Sequence, residues 1–96
     1  MLRSHYAPAV SLRVDATTVD PGESLLAFGP PVGNANEAVE VINLSAAGDL
    51  TEAATRLFSA LRELDDIGAP IAAMSIPERG LGLAIVDRLQ RAAAPR

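Results

Sequence analysis

The sequence predicts a small α/β domain of about four strands and two amphipathic helices in the order β-β-β-α-β-α, and three observations carry that prediction. The first is a helix within 43–66, NLSAAGDLTEAATRLFSALRELDD. Here Leu50, Ala53, Ala54, Leu57, Phe58, Leu61 and Leu64 recur at i, i+3, i+4 and i+7 and share one face of a 3.6-residue period. The second is IAAMSI at 71–76, a continuous apolar run that suits a strand buried on both sides. The third is the segment ahead of the helix, AVEVINL at 38–44, which completes a strand–helix–strand unit, parallel in sense and right-handed by rule.

The elements follow in order. Residues 1–9 show no apolar period and Pro8 restricts Ala7 to extended backbone, so they read as an arm ahead of a domain at 10–96. Val10, Leu12 and Val14 alternate with Ser11, Arg13 and Asp15, the pattern of a half-buried strand over 10–15. Asp20-Pro21-Gly22 is a turn: Pro presets φ and Gly accepts a positive one. SLLAFG at 24–29 is a short apolar strand, and Pro30, Pro31, Gly33, Asn34 and Asn36 form the next loop. In the third strand, 38–44, Val39, Val41 and Asn43 lie opposite Ala38, Ile42 and Leu44. The connections between the first three strands are too short for crossover helices, which leaves the pairing of those strands open.

The main helix carries its own start and stop. Asp49 and Glu52 are spaced as a capping box, Glu52 and Arg56 as an i,i+4 ion pair, Gly68 as a left-handed stop, and Pro70 prevents resumption. Burial of Leu57, Phe58, Leu61 and Leu64 contributes about 1.5–3 kcal/mol each, as an upper estimate. A second helix closes the chain at 81–94, with Leu81, Ala84, Ile85, Leu89, Ala92 and Ala93 on one face.

Composition bounds what such a domain can do. With 96 residues there is room for one domain, and with 49% hydrophobic but only 3% aromatic residues its core must be aliphatic. The chain has no cysteine and a single histidine, His5, so disulfides and thiolate or histidine metal sites are not expected. A net charge of −4 argues against binding a phosphate backbone, so no direct nucleic-acid contact is expected. No apolar run is long enough to span a bilayer and no signal peptide is recognisable, which makes the cytoplasm the default expectation. Every basic residue besides His5 is arginine, and Arg79, Arg88, Arg91 and Arg96 gather towards the C-terminus, where they suit a helix dipole or an anion.

Three blocks resemble one family. Asn43-Leu44-Ser45, Gly48-Asp49-Leu50, Ala54, Leu57-Phe58 and Leu61-Arg62-x-Leu64-Asp65 look like the C-terminal domain of Sua5-type threonylcarbamoyl-AMP synthases. PERGLGLAIVDRLQRA at 77–92 is similar to that family's closing segment, and MLRSHYAP at 1–8 to its interdomain linker. The sequence departs from the family pattern at Val86, where asparagine is usual, and at Ala46, Arg56 and Arg79, where proline, asparagine and glutamate are common. The resemblance implies a small Rossmann-like sheet. It also implies a parent enzyme that condenses L-threonine, bicarbonate and ATP into threonylcarbamoyl-adenylate for the t6A modification of tRNA. ATP, Mg²⁺ and threonine would bind in an N-terminal YrdC-like catalytic domain, the implied partner, and no cofactor is expected in this chain. In that family the linker methionine follows the catalytic domain. Met1 here therefore fits a trimmed chain, a misassigned start or a gene that lost its front half.

Candidate site residues fall in four groups, the first three with a structural alternative. By resemblance, His5, Tyr6, Ala7 and Pro8 would help to cover the catalytic pocket; alternatively they form a tail without a docking partner. Asn43, Ser45, Gly48 and Asp49 lie between the carboxyl end of a strand and a helix start, where α/β folds place ligands and where helix caps also sit. Gly80 and Gly82 suggest a phosphate loop, but the dinucleotide fingerprint requires glycine or alanine where Ile85 stands, and a tight turn accounts for them equally. Asp87 and Arg88 match the closing motif. The functional expectation is an accessory domain with an interaction or regulatory role on the synthase. The alternatives are an independent nucleotide or small-molecule binding module and an unneeded remnant of a decayed gene.

Overall fold

The structure, a computed structural model, describes residues 10–94. Four short strands, β1 (Leu12–Arg13), β2 (Ser24–Ala27), β3 (Val41–Asn43) and β4 (Ile71–Ala73), are joined with helices α1 (Leu50–Ile67) and α2 (Leu81–Ala93) in the expected chain order. A 3-10 turn at Ala35–Glu37 is the one addition. The sheet order is β1-β4-β2-β3, and all three pairings are parallel. The unit β3-α1-β4 is therefore parallel as expected, but its two strands lie on either side of β2 rather than side by side.

The pleat divides the core into two. Leu26, Ile71 and Ala73 point to one face and pack with Leu57, Leu61, Leu64, Ile85 and Leu89 of the helices. Leu25, Ala27 and Ala72 point to the other face. There the cover is irregular chain: Ala16 and Val19 from the β1–β2 connection, with Val32, Ala35 and Ala38 from the β2–β3 connection packed at its margin. Those two segments do what crossover helices do elsewhere, so parallel pairing survives connections that hold no α-helix. Asn34 clamps them together, donating from Nδ2 to the Val19 carbonyl (2.7 Å) and accepting the Val19 amide at Oδ1 (3.0 Å).

Each strand is shorter than its apolar pattern. The ladder over 10–15 is confined to Leu12–Arg13, while Val10 and Val14 pack against the core beyond it. Asp15 turns the chain away with φ 58°, a conformation rare outside glycine, and accepts a hydrogen bond from Ser75 Oγ (3.1 Å). Past β2, Gly29 adopts φ 68° and ends the run that the sequence places at 24–29. Val39 and Val41 of the third segment are exposed, and β3 is the edge of the sheet among the described residues. Met74 and Ile76 leave the ladder but stay packed, one against each core.

The helix faces also shift by a flank. In α1 the buried stripe is Ala53, Leu57, Ala60, Leu61 and Leu64, so Ala60 takes the place expected for Phe58, which is 49% exposed. In α2 the buried residues are Gly82, Ile85 and Leu89, while Leu81 is 47% exposed and Ala84 is also exposed. Phe58 and Ala84 flank the seam where the two helices meet. Contact with the sheet selects a stripe narrower than the sequence period implies. Among the described residues, no helix is long and apolar enough to cross a membrane.

Candidate functional site

Four of the sequence-selected residues converge at the carboxyl ends of β2 and β3 and at the head of α1. Asn43 bridges the strand ends, donating from Nδ2 to the Gly29 carbonyl (2.9 Å) and accepting the Ser45 amide at Oδ1 (3.0 Å). Ser45, fully buried, accepts the Asp49 amide at Oγ (2.9 Å) and donates to Glu52 Oε1 (2.6 Å). Asp49 Oδ1 accepts the amides of Thr51 (2.8 Å) and Glu52 (3.3 Å). Gly48 takes φ 76° in the intervening turn, and its amide reaches the Ser45 carbonyl at 3.1 Å. The capping box is thus closed through an intermediary: Glu52 reaches the Asp49 amide by way of the Ser45 hydroxyl. Arg56, expected to pair with Glu52, instead donates to the carbonyls of Asn43 (2.7 Å) and Leu44 (3.4 Å).

Gly80 and Gly82 stand at the head of α2, where sterics rule. Gly80 is the N-cap at φ 52°, ψ −131°, with no side-chain cap. A Cβ on Gly82 would lie 1.8 Å from the Pro77 carbonyl oxygen, so only glycine lets the helix start this close to the preceding loop. The Gly82 amide bonds to the Arg79 carbonyl (2.8 Å) and that of Leu83 to Gly80 (3.1 Å). A phosphate cradle needs such first-turn amides unspent.

Asp87 and Arg88 point to different neighbours. Asp87 forms an exposed i,i+4 ion pair with Arg91 (3.0 Å), a contact of small energetic weight. Arg88 crosses to α1 and stacks its guanidinium 4.5 Å from the Phe58 ring centroid. Beneath them runs a groove of about 180 Å³ lined by Ala54, Leu57, Phe58, Ala84, Ile85 and Arg88. His5, Tyr6, Ala7 and Pro8 lie outside the described residues.

One polar constellation escaped the sequence reading. Arg13 clamps Glu23 with two bonds, Nε to Oε2 and Nη2 to Oε1, both 2.9 Å, and also donates to the Thr18 carbonyl at 2.8 Å. Asp20 adds its amide to Glu23 Oε1 (2.8 Å). Glu23 is only 8% exposed. The bond from Arg13 holds its carboxyl below the usual range, against the opposing effect of burial, and the same bond raises the Arg13 guanidinium. An acid directly before a fully buried strand is a visible signal that a partner is needed, but the sequence does not say which arginine supplies it. The clamp ties the first connection to the sheet.

The family model for the threonylcarbamoyl-AMP synthase C-terminal domain matches residues 1–94. The chain belongs to that family. A search of curated proteins finds no match. In this synthase C-terminal domain, the blocks that carry the family pattern do architectural work: Asn43, Ser45 and Asp49 build the α1 cap, and Gly82 admits the Pro77 carbonyl. Among the described residues, no group of three or more His, Cys, Asp or Glu side chains gathers to hold a metal ion, and the glycine turn spends its amides internally.

Proposed function

We propose that this domain is an accessory module of a threonylcarbamoyl-AMP synthase in the tRNA t6A pathway, acting by contact with the YrdC-like catalytic domain and contributing no catalytic group. The supporting observation is the saturation of the polar cluster at the carboxyl edge of the sheet. Asn43, Ser45 and Asp49 each bond to groups of the chain itself. A family domain with its edge chemistry committed to its own fold serves best as a surface. ATP, Mg²⁺ and threonine belong, on this reading, to the catalytic domain.

Two measurements test it. The chain incubated with ATP, threonine and bicarbonate is expected to release no pyrophosphate above background, and amide resonances titrated with the catalytic domain are expected to shift saturably on one surface. Turnover by the chain alone would overturn the reading. So would saturable shifts at Ser45, Gly80 or Gly82 with micromolar ATP, AMP or NAD, which would favour a nucleotide-binding module instead.

A further inference from the structure

We infer that the outer edge of β3 pairs with β3 of a second copy of this chain, antiparallel about a two-fold axis at Val41, so that two four-stranded sheets join as one. The edge offers open hydrogen-bonding groups. The Leu25 amide donates to the Glu40 carbonyl and the Leu44 amide to the Ala27 carbonyl, both at 2.8 Å, so residues 40, 42 and 44 address β2. By the alternation of the ladder, Val41 and Asn43 turn their backbone groups outward. The Val41 amide and carbonyl have no partner among the described residues. Val39 and Val41 are exposed beside them, and the segment 38–43 carries neither the lysine nor the proline that commonly guards an edge.

The pattern of spent and unspent groups selects the occupant. In an antiparallel pair, residues directly opposite each other exchange both bonds, so Val41 facing its own image satisfies one donor and one acceptor in each copy. In that register Asn43 of one copy stands opposite Val39 of the other. The Asn43 carbonyl is already taken by Arg56 (2.7 Å), and the Val39 amide already donates to the Glu23 carbonyl (2.8 Å). These two groups, which would bond each other in a longer ladder, are each satisfied within their own chain, so the pairing strands neither. Val41 also meets Val41, an apolar cross-strand contact.

Charge supports the same register. Arg56 has no carboxylate partner among the described residues, because Glu52, its i,i+4 neighbour, bonds Ser45 instead. Its guanidinium sits at the carbonyls that end β3, while Glu40 precedes the start of the strand. Both lie on one face of the sheet, since Glu40 shares the parity of Ile42 and Leu44, which pack beneath the helices. Antiparallel pairing reverses one copy. Glu40 then lies opposite Ile42 of the other copy, about 6 Å from the strand end that its Arg56 covers, a gap two long side chains span. Two Glu40–Arg56 pairs form across the axis, whereas parallel pairing would set Glu40 beside Glu40. The inference concerns contact between copies and does not depend on the proposed role in the synthase.

Sedimentation equilibrium is expected to show a monomer that becomes a dimer between micromolar and millimolar chain, the weak class that a short strand contact allows. Amide hydrogen exchange at Val41 is expected to slow several-fold over the same range. Val41→Pro removes the outward donor and is expected to abolish the dimer while far-UV circular dichroism stays unchanged. Glu40→Arg and, separately, Arg56→Glu are expected to weaken dimerisation several-fold, and the double exchange to restore it. If Arg56→Glu loosens the fold through its lost carbonyl contacts, Val41→Pro and Glu40→Arg decide. A chain that stays monomeric up to millimolar concentration overturns the inference. So does a dimer that survives Val41→Pro and Glu40→Arg, which places the contact elsewhere. Val41 protection that appears only when a different protein is added assigns the edge to that protein and overturns it too.

Discussion

At the head of α1, side chains complete the first turn: Asp49 accepts two amides, and Ser45 accepts a third while its hydroxyl donates to Glu52. At the head of α2 no side chain takes part. Gly80 turns the backbone at φ 52°, and Gly82 leaves room for the Pro77 carbonyl. Both ends lie after a strand of a parallel sheet, the position where α/β folds recruit ligands. The contrast teaches that sequence motifs at such positions have two physical origins. One is hydrogen-bond chemistry, which tolerates any group of similar reach. The other is a steric limit, which tolerates nothing beyond a hydrogen atom.

The sharpest way to break the comparison is Gly82→Ala. With Pro77 oxygen 1.8 Å from the new Cβ, the obstacle is backbone and cannot rotate away. A loss of about 3 kcal/mol or more is expected, the upper end for overpacking, read as a lower urea midpoint at unchanged slope. A loss below about 1 kcal/mol would mean that α2 shifts freely and the steric account fails.

Ser45→Ala comes next. It removes a buried hydroxyl that serves both the Asp49 amide and Glu52, at a cost of about 2 kcal/mol, while Asp49→Ala costs about 1 kcal/mol. The double variant is expected to lose less than the sum, because both residues serve one cap. Additive losses in urea titrations would separate Ser45 from the cap.

The smallest effect is electrostatic and lies outside both helix heads. The Glu23 carboxyl titrates below its unfolded value because Arg13 bonds it. The unfolded chain therefore takes up this proton first as acid is added. The contribution is fully present above the unfolded pKa of about 4.3 and is lost as pH falls through the lower folded value. Stability measured from pH 6 down to 3 is expected to fall by less in Arg13→Gln than in the unaltered chain. The difference should be modest, since the guanidinium is 41% exposed and well solvated. Identical acid limbs would show that the clamp adds no pH dependence.

What the sequence determined by itself is the local architecture. The order of elements, the position of α1, its cap at Asp49 and its stop at Gly68 were all legible, because helix period, caps and glycine stops act within a few residues. The family pattern was legible for a related reason, since its blocks coincide with these local devices. The candidate site was legible only in part: the sequence named Asn43, Ser45 and Asp49 without showing that they bond to one another. Tertiary structure alone decided that β4 enters between β1 and β2, that irregular chain rather than helix covers the second face, and that Ala60 is buried where Phe58 is not. It also paired Arg13 with Glu23 and brought Pro77 against Gly82. The sheet order and the choice of helix face depend on contacts between residues far apart in the chain. The arginine clamp and the glycine contact depend on how the adjoining loops fold back. Periodicity and spacing report which face a residue prefers; what stands opposite that face is set only when the whole chain packs.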